Sequence, residues 1–230
     1  RRFFFILDMM MRSRKRFMSM RYVASSKRRI QSKKRRLCFR DGVPFDETFD
    51  DVYYPSNDPE EDARHTYLKG AQMDRLFDSR ERVIVAETGF GVGLNFLETW
   101  KMFEKSNVSQ SLDYISVEGY PIYDTQELKR CHERFSTHAD KSQELRAKWP
   151  TVPGIHRIRF ADGRVRLILF IGDVRMMLAQ MNFQADAWLL VCFTISFPHS
   201  HSTEYKHTCT QRLCYTGRFQ SQNQCRDVEY

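Results

Sequence analysis

The chain holds no run of eighteen or more apolar residues, which argues against a transmembrane helix. It has no cysteine framework either. Cys38, Cys131, Cys192, Cys209, Cys214 and Cys225 follow no regular spacing and no secretory signal, so free thiols in a reducing compartment are expected. No internal repeat is present, and no phosphate-binding Gly-Lys-Ser/Thr follows the one glycine-rich stretch. Acids are scarce at the start: residues 1–36 carry fourteen Lys/Arg and only Asp8 against them. That leader sums to +13 within a chain of net charge +8, so the rest sums to −5. The molecule is therefore an acidic domain with a basic leader, rather than a basic protein.

Three readings of the leader follow from its composition. It is a solvated, disordered arm; or it binds phosphate backbones through counterion release; or, being rich in Arg and Ser and beginning at Arg1, it is a targeting peptide. The first two are compatible with a cytoplasmic protein, the third with an organellar one.

What is present is enough to fold. Hydrophobic residues make up 41% of the 230 positions, sufficient for a packed core. Composition divides the chain into the leader (1–36), a mixed domain (37–190) and a tail (191–230) in which clear periodicity disappears. The domain alternates strand and helix patterns, as an open α/β sheet does. Residues 82–87 read as a buried parallel strand and 112–118 as a second. Leu94, Leu97, Trp100 and Phe103 are spaced for one helix face, and 124–148 read as helix. Residues 156–160 and 164–171 read as a hairpin turning at Ala161-Asp162-Gly163. A short helix over 176–181 and a strand over 186–190 complete the pattern.

Chemistry gathers at the strand ends, where open α/β sheets bind ligands. Glu87 precedes Gly89-Phe-Gly-Val-Gly93, Glu118 ends the second strand, and Asp173 ends a later one. Glycines let a backbone turn tightly against a ligand. A carboxylate 25 residues beyond Gly93 is placed to accept hydrogen bonds from a ribose diol. The pattern E-T-G-F-G-V-G departs from the pyrophosphate-binding G-x-G-x-x-G. A nucleoside cofactor without pyrophosphate fits better, and S-adenosylmethionine is the commonest.

From Glu87 to Leu97 the sequence closely resembles the methyltransferase half of the bifunctional tRNA 5-methylaminomethyl-2-thiouridine biosynthesis proteins. Phe49-Asp-Asp-Val-Tyr-Tyr54, Glu118-Gly-Tyr-Pro121, Pro153-Gly-Ile-His-Arg157, Gly163-Arg-Val165, Phe170-Ile-Gly-Asp173 and Asp186-Ala-Trp188 agree in the same order. The resemblance covers roughly residues 37–190. It implies a Rossmann-like α/β fold of the class I S-adenosylmethionine-dependent kind. It also implies methyl transfer to the aminomethyl nitrogen on carbon 5 of a tRNA wobble uridine. On that likeness Glu87, Gly89, Gly91 and Asn95 line the methionine side of the cofactor, with Phe90 and Gly93 in the same loop. Glu118 holds the ribose and Asp173 the adenine, while Asp51 and Tyr53 close over the pocket. The flavin-dependent oxidoreductase half is absent from this chain, so that step is expected of a separate protein.

The likeness breaks after residue 190. Where the family has Asp-Gly-Phe, this chain has Val191-Cys192-Phe193, and valine can take no proton. The family's catalytic acid is thus replaced, and the C-terminal part of the sheet is expected to be missing. The tail reads as the product of a frame slip or a retained intron. Its Cys209, Cys214 and Cys225, with His199, His201 and His207, match no strong zinc spacing, and no metal is expected.

Overall fold

The computed structural model describes residues 36–55, 57–106, 110–174, 183–191 and the strand 213–216. The leader up to residue 35, the helix expected over 176–181 and most of the tail lie outside the described residues. Described strands and helices build two sheets and one helical layer.

The first sheet is small. Strands β1 (Leu37–Arg40), β2 (Val43–Asp46) and β3 (Asp51–Val52) pair antiparallel in that order. Its first turn is Asp41-Gly42, both at positive φ (50° and 76°), the backbone that a two-residue hairpin turn requires. Helix α1 (Pro59–Ala63) follows, capped by Asp58, whose side chain accepts from the Glu61 amide at 2.8 Å. It runs on through a π-helical turn at Arg64–Lys69, and α2 (Met73–Ser79) leads into the main sheet.

The main sheet is formed by β4 (Arg82–Thr88), β5 (Ser111–Glu118), β6 (Gly154–Phe160), β7 (Val165–Ile171), β8 (Ala187–Leu190) and β9 (Leu213–Thr216). Their spatial order is β6-β7-β5-β4-β8-β9. The four central strands are parallel, and β6 and β9 are antiparallel edges. The expected α/β class and the expected hairpin are both present. The hairpin turns through Ala161, Asp162 and Gly163, all at positive φ. In the tail, expected to lack regular structure, residues 213–216 form a strand against β8.

Between the strands lie α3 (Leu94–Lys105), α4 (Thr125–His132) and α5 (Ala139–Ala147). The single helix expected over 124–148 is therefore two. Tertiary contacts end the first and begin the second. The Tyr54 hydroxyl donates to the Cys131 carbonyl at 2.6 Å, and the Thr137 amide donates to Glu60 at 2.9 Å. Phe135, in the break, is buried beside the Tyr54 ring.

Strand alternation sorts the sheet's two faces. Val83, Val85, Leu112, Tyr114, Leu167, Leu169 and Leu189 share one core with Ala63, Phe77, Phe96, Trp100, Leu128 and Leu145 from all five helices. The opposite face carries Ala86 and Trp188 in one small cluster, and Val117 and Phe170 in another. Every described helix contributes to the core on the first face.

Candidate functional site

From β4 the chain passes to β5 on one side, while β8 lies on the other. The carboxyl ends of β4 and β8 thus border the topological switch point, where such sheets open a ligand crevice. The glycine loop, residues 89–93, crosses it.

The loop is tied from several directions. The Gly89 and Phe90 amides donate to the Val117 carbonyl at 2.9 and 3.1 Å. The Gly91 amide donates to Glu118 Oε2 at 2.7 Å, and the Gly93 amide to the Phe90 carbonyl at 2.9 Å. The Val92 carbonyl accepts from His132 Nε2 at 2.8 Å. That donor assignment follows from the other ring nitrogen, Nδ1, which faces the guanidinium NH1 of Arg146 at 3.1 Å and must accept from it. Burial, with Arg146 adding to it, pushes the His132 pKa down to about 4, so the ring is neutral in its task.

The three loop glycines, at φ 82°, 57° and 83°, have different neighbours. A Cβ on Gly89 would meet Val191 Cβ at 3.4 Å, and one on Gly91 would sit 3.9 Å from the Tyr53 ring. On Gly93 it would lie 2.9 Å from Leu145, so this glycine lets α5 approach the loop. Phe90 also faces inward: its ring is buried and packs near Phe96 and Trp149. Only its backbone is available to a ligand.

Glu87 and Glu118 are each only 1% exposed. Glu87 Oε1 accepts from Asn95 Nδ2 and Oε2 from Ser116 Oγ, both at 2.9 Å. Burial still dominates and lifts its pKa to about 7, while these hydrogen bonds pull the other way. The Glu118 carboxylate bridges the Gly91 and Tyr120 amides, each at 2.7 Å. A carboxylate has about four acceptor sites, so two such bonds leave room for ribose hydroxyls. Asp173 lies half-buried two residues beyond β7. Asp51 is half-buried in β3 opposite Asp46, with its Oδ1 accepting from the Val52 amide at 2.8 Å. Tyr53, the other residue of that motif, reaches the loop at Gly91.

Val191 extends β8 alongside β4: its amide donates to the Thr88 carbonyl at 3.2 Å, and its own carbonyl accepts from Thr88 Oγ1 at 3.3 Å. Its side chain stands over Gly89 on the β8 wall of the crevice. Ser116, His132 and Arg146 belong to this arrangement although no motif announces them. Only strand pairing reveals Ser116, which lies directly opposite Glu87 in the β4–β5 register.

A second buried polar cluster lies away from the loop. Donor atoms of Glu60, Glu98 and His138 lie within 4.8 Å of one another, as metal ligands do. His138 Nε2 is 2.6 Å from Glu98 Oε1, and Arg64 NH1 reaches the same oxygen at 2.9 Å. With a guanidinium and an imidazole N–H already on Glu98, the cluster is an internal ion-pair knot joining α1 to α3.

The residues of the crevice fit a cofactor of one kind. Two buried acids flank a loop with no basic residue from 87 to 95, an arrangement that repels a pyrophosphate and suits a nucleoside carrying positive charge. Comparison with known proteins points the same way. The model of a family described as S-adenosyl-L-methionine-dependent methyltransferase matches residues 136–214. The tRNA 5-methylaminomethyl-2-thiouridine biosynthesis bifunctional protein MnmC of Azoarcus sp. (strain BH72) is 39% identical over 156 residues. The chain carries an S-adenosyl-L-methionine-dependent methyltransferase domain of the MnmC type.

The Azoarcus alignment takes in 67% of this chain and 24% of that protein. The MnmC of Thiobacillus denitrificans (strain ATCC 25259 / T1) is 38% identical over 157 residues, 67% of this chain and 25% of its own. The methyltransferase domain thus spans about a quarter of the length of the curated relatives it matches. The crystal structure of MNMC2 from Aquifex aeolicus aligns with a TM-score of 0.49 and 16% identity, covering 66% of this chain and 47% of that one. The family match runs on to residue 214, past residue 190, where the likeness read from motifs ends. Among the described residues, no helix is long and apolar enough to cross a membrane.

Proposed function

We propose that the methyltransferase domain binds S-adenosylmethionine in the crevice at residues 89–93 and acts on tRNA. The ancestral reaction is methylation of the aminomethyl nitrogen on carbon 5 of the wobble uridine. The observation that carries this reading is the pair of buried acids, Glu87 and Glu118, on either side of a loop whose backbone is held open at the switch point. The cofactor supplies an electrophilic methyl group on a sulfonium. Glu87, beneath the loop and held by Asn95, answers the positive charge of its methionine end, with the backbones of Gly89, Phe90 and Gly91 beside it. Glu118 accepts from the ribose, and Asp173 from the adenine. Tyr53 and Asp51 border the pocket from the small sheet, and Gly93 serves by bringing α5 up to the loop. A flavin-dependent oxidoreductase would act in the same pathway, and the cytoplasm is the expected compartment.

An attacking amine must be neutral, and a side chain near it normally takes its proton. Val191 on the β8 wall cannot. The reading is therefore of a domain that binds its cofactor well and turns over slowly. Titration calorimetry of the full chain with S-adenosylmethionine, beside Glu118→Ala, tests it. Binding by the wild type that is lost in the variant supports the reading. A folded wild type that takes up no cofactor overturns it.

A further inference from the structure

On the sheet face opposite the main core, arginines gather at the β6 edge. Ile158 and Phe160 of β6 join the main core, so Arg157 and Arg159, one residue out of phase, point to the other face, and both are exposed. The strand register sets Arg159 opposite Arg166 of β7, and Arg166 opposite Asp113 of β5. Asp113 also receives Arg82, from the neighbouring strand β4, at 2.6 Å. One buried carboxylate thus already serves two guanidiniums, Arg82 and Arg166. Arg157 and Arg159 have no ion-pair partner among the described residues, and Arg159 faces a like charge directly across the ladder. Like charges so placed cost stability.

We infer that Arg157 and Arg159, backed by Arg166, are contacts for the phosphate backbone of the RNA substrate. This rests on the proposed action on tRNA. Alternate residues of a strand are about 6.6–6.8 Å apart along it, which lets two arginines meet successive phosphates. The start of β6 lies at the same end of the sheet as the crevice: Gly154 and Ile155 pair there with Ile171 and Phe170 at the carboxyl end of β7. Ile155 is 38% exposed there, and the nearby chain crossings present Val152, Tyr120 and Tyr123, at 57%, 48% and 44%. Arginines hold the backbone without reading sequence, and exposed aromatic rings beside the crevice suit unstacked anticodon bases. This surface lies within the folded domain and is distinct from the basic leader. Charges on an edge strand also discourage edge-to-edge aggregation, and the experiment separates that role from RNA contact.

The test measures binding of the full chain to an unmodified tRNA by fluorescence anisotropy across a salt series, for wild type and Arg157→Gln/Arg159→Gln. Each phosphate contact contributes roughly 0.7–0.9 to the logarithmic salt slope. The double variant is expected to lower the slope by about 1.5 and weaken binding at low salt by about tenfold or more, with cofactor binding unchanged and the melting temperature no lower than that of the wild type. A photo-crosslinking amino acid in place of Arg159 should capture the tRNA, and one in place of Arg75 on α2 should not. An unchanged slope with no crosslink at 159, accompanied by aggregation of the double variant, makes the arginines an edge guard and overturns the inference. If the wild type binds cofactor and tRNA while the variant is indistinguishable from it, this inference alone falls. If the wild type binds neither, the proposed function falls with it.

Discussion

The two walls of the crevice are unequal. On the β4–β5 side two buried acids have their hydrogen bonds, and the loop between them is anchored by Val117, Glu118 and His132. On the β8 side the backbone register continues to Val191, yet the side chain there offers nothing a proton or an amine could use. On the proposed function, holding a cofactor and activating a nucleophile therefore sit on separate strands. A substitution on β8 can remove the second capacity and leave the first.

The largest expected effect comes from making the walls equal. Val191→Asp should raise methyl transfer from labelled S-adenosylmethionine to undermodified tRNA by about 10²–10⁴-fold, the usual contribution of a positioned general base. An unchanged rate with intact cofactor binding would show that the substrate nitrogen does not lie against β8. On the opposite wall, Glu118→Ala should weaken cofactor binding by about a hundredfold, since hydrogen bonds to a charged acceptor contribute roughly 1.5–3 kcal/mol each. Calorimetry at constant pH would read it, and a change below about threefold would remove Glu118 from the site.

Glu87 gives a pH signature. Its folded pKa, about 7, lies above the ordinary 4.5, so between these values the folded state holds a proton that the unfolded state has released. Stability contributed by this group therefore falls as pH rises through that window, and the cost is complete above pH 7. Glu87→Gln should flatten this dependence and melt higher than wild type at pH 8, by an amount equivalent to about 1–3 kcal/mol. It should also abolish the tightening of cofactor binding as pH rises through 7. Parallel pH profiles for the two proteins would rule out Glu87 as the titrating group.

His132 works in the opposite sense. Its folded pKa, about 4, is below the ordinary 6.5, so the unfolded state binds the proton first and stability is lost as pH falls between these values. His132→Leu should cost about 1 kcal/mol at neutral pH through the lost bond to Val92, and should lose less stability than wild type on acidification. Thermal melts at pH 7 and pH 5 would show it. An equal acid loss in both proteins would assign the effect elsewhere.

Much of this was open to reading in the sequence because the signals are local. The apolar runs at 82–87 and 112–118 each end in an acid, and they lie in the central strands. Three glycines that alternate within five residues demanded a tight turn, and all have positive φ. The divided helix was not legible, since its break at residues 133–138 contains neither glycine nor proline. Tyr54 and Glu60, more than seventy residues earlier in the chain, satisfy the backbone groups that the break exposes. Phe90 was equally opaque: its place in the motif suggested ligand contact, but the core took its ring.

The sequence by itself determined the strand order of the chemistry, namely Glu87, the glycines, Glu118 and then Val191, because residue type and spacing act at short range along the chain. Only the tertiary structure decided that Val191 meets Gly89, that Ser116 and Asn95 share Glu87, and that His132 holds the loop's carbonyl. These contacts depend on which strand lies beside which. Strand pairing is set by the packing of the whole core, and no short segment carries that information.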